Sequence, residues 1–290
     1  IRKSLVGSEM CIRDSVKKHL FVNHPYRWTT IGEMDHLDAA TLDEFLAFNK
    51  KFYVPNNAVL VVAGDIDIDK TKTMVEAYFG AIPRGADIER VSLTEEPIQE
   101  ELKAEAFDSN IQIPAIITAY RTPSFKSRES RILDMISTYL SDGPSSKLYK
   151  RLVDEKKMAL QSGAINIAQE DYGMYVIFGL PQGEFKLTDL ISEMDDEILK
   201  IQNNLISERD YQKLLNKFEN GFVSSNASVE GIANSLARYH MLYGDTNLIN
   251  NEIDIYRSIT REEIREVANK YLNTNQRLVL EYLPEPEKAN

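Results

Sequence analysis

TLDEFLAFNKKFYVPNNAVLVVAG, Thr41 to Gly64, decides the fold because the chain repeats it. Shifted by 219 positions, it lands without a gap on TREEIREVANKYLNTNQRLVLEYL, Thr260 to Leu283. Thr41 falls on Thr260, Glu44 on Glu263, Lys51 on Lys270, Asn56 on Asn275 and Leu60 on Val279. Each copy reads as a Thr N-cap, an acidic first turn, an amphipathic helix, a turn rich in Pro or Asn, and an apolar strand. Many α/β proteins use this local chemistry. A gapless match over so long a stretch favours a duplicated unit of about 220 residues. A chain of 290 residues then holds one whole unit and the tail of another.

Working outward, residues 1–15 (IRKSLVGSEMCIRDS) lack a clear period and carry the lone Cys11. They read as an artefact or a disordered end and are set aside. Residues 16–85 read as the C-terminal part of a first domain. In it a helix capped by Asp38 or Thr41 runs to about Phe52, Ala58–Ala63 is a strand buried on both faces, and Ile68–Phe79 is a second helix. Residues 86–103, with Pro97 and a run of glutamates, read as a linker. Residues 104–290 read as a complete second domain. Its elements are a strand over Ile111–Tyr120, helices over Ser127–Leu140 and from Ser145 to about Glu155, and a hairpin of Met158–Ala168 with Tyr172–Leu180. Helices over Leu187–Asn203, Ser207–Ser225 and Val229–Tyr243 follow, and then the repeated helix and strand. The fold class is α+β, an antiparallel or mixed sheet covered by helices.

The net charge of -11 argues against a nucleic-acid binder, which needs a basic footprint. One cysteine allows neither an internal disulfide nor a cysteine-based zinc site. No apolar run of about 18 residues is present to span a membrane. The four histidines, His19, His24, His36 and His240, form neither H-E-x-x-H nor H-x-x-E-H. His24 precedes Pro25 and reads as a turn residue, and His240 reads as a packing or surface residue. Asp65, Asp67, Asp69 and Glu76 have the acidic spacing of a calcium loop, but Lys70 stands where the sharp turn needs Gly. Those carboxylates read instead as caps of the next helix. Ser141–Ser146 (SDGPSS) is not a nucleophile elbow, since G-x-S-x-G is absent. Asp195-Asp196-Glu197 reads as a solvated helix face, and the aromatic run Tyr172–Phe178 as strand packing.

Four segments carry a family likeness: HPYRWTTIG, FNKKFYVPNNAVLVVAGDID, YFGAIPRG and LSDGPSSKLYKRLVDEKKMA. Together they resemble the M16 zinc peptidases of the insulinase or pitrilysin type, and most nearly bacterial members similar to the mitochondrial processing peptidase. The resemblance implies LuxS/MPP-like α+β domains of about 220 residues, paired within each subunit, in agreement with the internal offset. It also implies a peptidase that cuts extended peptides in a closed chamber, and zinc held by an H-x-x-E-H helix in the first domain with a later Glu. The Glu inside that motif acts as general base. By the repeat offset, that helix corresponds to Ser127–Leu140 of the second domain, which reads SRESRILDMISTYL and has no His. The expectation is therefore a subunit cut off after its metal site. It has no catalytic, cofactor-binding or metal residue in this chain, and zinc only in the intact parent. Family members often work in pairs, one subunit bearing zinc and the other an Arg and a Tyr that orient substrate. The matching region, Tyr172–Gly183, has no Arg. The implied partners are peptide substrates and a homo- or heterodimeric M16-like subunit, and the implied location is the periplasm or cell envelope. The alternative is a non-catalytic partner subunit of an M16-type heterodimer.

Overall fold

The structure is a computed structural model and describes residues 2–30, 32–90 and 93–286, with residues 2–10 described by backbone alone. The chain divides into two compact units. The first comprises Ile1–Thr29, Leu93–Asn216 and Tyr256–Asn290, and the second Thr30–Ser92 and Lys217–Ile255. This grouping differs from the division into 16–85 and 104–290. Val16–Thr29 joins the later residues, and Lys217–Ile255 joins Thr30–Ser92.

The first unit is built on five strands, β1 (Leu102–Asp108), β2 (Ala115–Pro123), β3 (Ala159–Ala168), β4 (Tyr172–Pro181) and β5 (Arg277–Pro284). Their order is β1-β5-β2-β4-β3. Only β1 and β5 run parallel; the other neighbours are antiparallel, so the sheet is mixed. One face carries Arg277, Tyr120, Tyr175 and Asn166 in a single register row. Helices α5 (Arg128–Ser141) and α6 (Leu187–Asn203) pack on that face, through Asn166 to Asp134 and through Gly179 against Leu190. A Cβ on Gly179 would lie 2.9 Å from Leu190, so glycine permits the close approach of α6. The opposite face buries Ala115, Ile117, Ala119, Leu278, Leu280 and Tyr282 against Val16, Leu20 and Phe21 of the first helix and the turn after it. That helix, α1 (Arg2–Leu20), takes in residues 2–15 of the stretch set aside as artefact or disorder.

Local chemistry explains the helix ends. Ser127 accepts the N–H of Ser130 to start α5, whose Ile132, Leu133, Ile136 and Leu140 are buried at helical spacing. Gly143, at φ +82°, lies in the turn that follows. Beyond it, Tyr149–Glu155 is wound as a π-helix. The hairpin forms as expected, β3 ending at Ala168 and β4 starting at Tyr172. β1 lay inside and just past the expected linker. Its Lys103 and Glu105 disguise it, because an edge strand needs only one apolar face.

The second unit contains α2 (Met34–Ala39), α3 (Leu42–Phe52), α4 (Ile68–Phe79), α8 (Val229–Arg238) and most of α9 (Leu248–Arg257). Helix α7 (Glu208–Ser225) passes through the division at residues 216–217. The caps of the two repeat copies are the same. Thr41 and Glu44 form a capping box for α3, and Thr260 and Glu263 form one for α10 (Arg261–Tyr271). Both helices are followed by a 3-10 turn, Pro55–Asn57 and Thr274–Gln276. There the copies part. Arg277–Tyr282 is the body of β5, whereas Ala58–Ala63 forms no strand, and Leu60 is 59% exposed. The expectation of a buried strand at Ala58–Ala63 is corrected. A strand exists only with a hydrogen-bonded neighbour, and β5 has β1 and β2 while Ala58–Ala63 has none among the described residues.

Candidate functional site

The histidines do not converge. His19 and His36 are exposed, as is His240 on the π turn Tyr239–Tyr243 after α8. His24 alone is buried, 3% exposed. Its Nδ1 accepts the N–H of Tyr26, and its Nε2 lies 3.3 Å from Asp171 Oδ2. Tyr26 and Tyr172 pack edge-on against its ring. His24 is thus a turn residue, as its place before Pro25 suggested, held by one carboxylate and two aromatic rings. Among the described residues, no group of three or more His, Cys, Asp or Glu could hold a metal ion. Those described residues do not fit a zinc site. The acidic run before α4 acts as the sequence suggested, with Asp67 Oδ1 accepting the N–H of Lys70 at 3.0 Å.

The chemistry-bearing side chains collect instead in two places. The first is the register row under α5 and α6. Arg277 is 4% exposed and holds Asp195 of α6 with two bonds, at 2.5 and 3.1 Å. Its Nε donates to Glu101 at 2.9 Å, and its Nη1 lies 3.4 Å from the Tyr120 hydroxyl. Burial opposes the charge, but Asp195 and Tyr120 outweigh it, so the guanidinium is held even more firmly protonated than usual. Asp195 is therefore not part of a solvated face, as the sequence suggested, but an ion-pair partner. At the other end of the row, Asn166 Nδ2 donates to Asp134 Oδ1 at 2.9 Å. Tyr175 stands between, fully buried, its hydroxyl without a hydrogen-bond partner among the described residues. Burial pushes that phenol well above its ordinary value. An unpaired buried hydroxyl costs stability, so Tyr175→Phe is expected to be neutral or stabilising by up to about 1 kcal/mol. Urea denaturation checks this, and a loss above about 1 kcal/mol would mean that the hydroxyl is paired.

The second place is the Tyr172 end of β4, the region compared above with a substrate-orienting Arg and Tyr. An arginine does reach it, from β2. Arg121 donates through Nε to Leu20 O at 3.0 Å and through Nη1 to Glu96 O at 2.7 Å, and pairs with Glu95 at 3.4 Å. These bonds are all internal and leave the guanidinium built into the fold. Sequence spacing carried no signal for this cluster, because its members lie 25 to 101 positions apart. Ser145, in the turn after α5, receives a hydrogen bond from Lys213 of α7, but both are exposed, and nothing there shields a nucleophile from water.

The family model described as the peptidase M16 inactive domain matches residues 39–218. The chain belongs to the peptidase M16 family. Among curated M16-like relatives, the zinc protease PqqE of Helicobacter pylori is 26% identical over 259 residues, 88% of this chain and 58% of PqqE. The chain thus spans a little under three fifths of that relative's length. A crystal structure of a protease from Helicobacter pylori superposes with a TM-score of 0.85 at 23% identity, covering 94% of this chain and 66% of that one. The peptidase M16 inactive domain from Pseudomonas fluorescens gives 0.82 at 16% identity, covering 100% of this chain and 70% of that one. At such identities these structures speak for the fold, an α+β M16 domain. Among the described residues, no helix is long and apolar enough to cross a membrane.

Proposed function

We propose that this chain is the C-terminal part of an M16-type zinc metallopeptidase subunit and has no peptidase activity by itself. In this reading the intact subunit hydrolyses peptides in a closed chamber, beside a second M16-type subunit, in the periplasm or cell envelope. Zinc belongs to its first domain. Residues 104–290 contribute the second domain, which walls the chamber and offers the partner surface, and residues 16–85 the end of the first.

The unequal fate of the two repeat copies carries this reading. One copy ends as β5, between β1 and β2. The other has the same capping box and the same turn, but its apolar segment Ala58–Ala63 meets no strand. By the 219-position offset, the counterparts of β1 and β2 precede Ile1. So does the counterpart of α5, which is where the family resemblance puts the zinc motif. The share of PqqE that the chain spans agrees with this.

A second reading is a non-catalytic partner subunit, and the description of the matching family model as an inactive domain favours it. The two readings differ in the parent gene, where an intact H-x-x-E-H supports the enzyme and an altered motif supports the partner. For the chain itself, we expect no stoichiometric zinc by elemental analysis and no chelator-sensitive cleavage of unfolded peptides. Zinc at one per chain, or cleavage that a chelator abolishes, would sink the proposal.

A further inference from the structure

Glu95 lies in the irregular segment before β1, yet its side chain is 1% exposed. Its carboxylate accepts three successive main-chain N–H groups, Val22 at 2.9 and 3.1 Å, Asn23 at 2.8 Å and His24 at 2.6 Å. Arg121 Nη2 stands 3.4 Å away, and the Glu95 N–H donates to the Tyr172 hydroxyl at 3.1 Å. Successive N–H groups pointing at one centre make an anion site. Its position is unusual, because it follows the C-terminal end of α1, where helix carbonyls repel an anion. Arg121 reverses that field. It caps the Leu20 carbonyl and lies over the Phe21 ring, with its cation next to the carboxylate.

We propose that Val22–His24 and Arg121 form a carboxylate-binding site, and that Glu95 occupies it as a clasp closing the chain around residues 25–94. The partners are 71 to 73 positions apart. The chain leaves the first unit after Thr29 and re-enters it at Leu93, so both halves of the clasp belong to the first unit. A charged clasp releases in acid. Burial disfavours the Glu95 carboxylate, but the three N–H groups and Arg121 outweigh burial and lower its pKa below the usual 4.5. A lowered folded-state pKa adds stability above the unfolded value and loses it as pH falls through the folded one. The clasp is therefore fastened above about pH 4.5 and opens progressively below it. The other charged or titratable groups around it are His24, Asp171, Arg27, Tyr26 and Tyr172.

The test is amide hydrogen exchange on the 290-residue chain. In Glu95→Ala, exchange at Val22, Asn23 and His24 is expected to rise about tenfold or more, with β5 amides little changed. Sodium formate should restore protection saturably, and sodium chloride at the same ionic strength should not. Unchanged exchange, or equal rescue by chloride, overturns the site. If Glu95→Ala does not fold, Glu95→Gln and a pH series on the unaltered chain replace it. Protection at residues 22–24 should then fall in acid before protection of β5, and Glu95→Gln should remove that early step. An early step that persists in Glu95→Gln and disappears in Asp171→Asn would assign it to the His24–Asp171 pair and overturn the clasp.

Discussion

Arg277→Ala is expected to cost about 3–5 kcal/mol of stability, among the largest losses available from a single change in this chain. Arg277 is buried on the helix-covered face of β5 and answers two carboxylates, Asp195 and Glu101, at 2.5–2.9 Å. Removing it takes the cation from Asp195, whose side chain is 20% exposed, and leaves Glu101 to the exposed Lys103 at 3.5 Å. The penalty comes from the stranded charges more than from lost attraction. A double change therefore separates the causes. Arg277→Met should be strongly destabilising, and Arg277→Met with Asp195→Leu should recover a substantial part of the loss. Urea denaturation followed by far-ultraviolet circular dichroism measures both. A cost below about 1 kcal/mol for Arg277→Ala would mean that the row is solvated and not structural.

Leu280→Ala is expected to cost about 2–5 kcal/mol. Leu280 is fully buried on the opposite face of β5, in the cluster with Ile117, Ala119 and Leu20. The range reflects how far that cluster can close around the cavity. The informative control is Leu60→Ala, in the other copy of the repeat. Leu60 is largely exposed, so its truncation should change stability by no more than about 0.5 kcal/mol. The contrast tests the proposed incompleteness of the first domain. In the intact parent, the reading puts strands on both sides of Ala58–Ala63, and Leu60→Ala should then become costly. Equal, small effects of Leu60→Ala in the chain and in the parent would end that part of the proposal.

The helices were largely legible in the sequence. α4 and α6 run as read, Ile68–Phe79 and Leu187–Asn203, and the Thr41 and Thr260 boxes form with the expected glutamates. Their signals are confined to a turn or two of chain, through caps, apolar spacing and turn residues. β1 was missed because an edge strand with charges on its outer face alternates too weakly to stand out from a charged linker. α9 was missed as well; LINNEIDIYR falls between the helix read as ending at Tyr243 and the Thr260 box. The candidate site was the least legible part. Asp195 looked like surface and Glu95 like linker. Neither assignment could be corrected without knowing what lies 82 or 73 positions away.

What the sequence by itself determined is the length of the repeat, the family, and the local form of both copies of the Thr41–Gly64 stretch. Those depend on contacts between residues close in the chain, which both copies make alike. Only the tertiary structure decided which copy becomes a strand, and that Glu95 and Arg277 are buried charges with partners. A ladder needs a neighbour, and a buried ion needs a counter-ion. In this chain both come from segments distant in sequence, so two stretches with the same capping and turn pattern reach different ends.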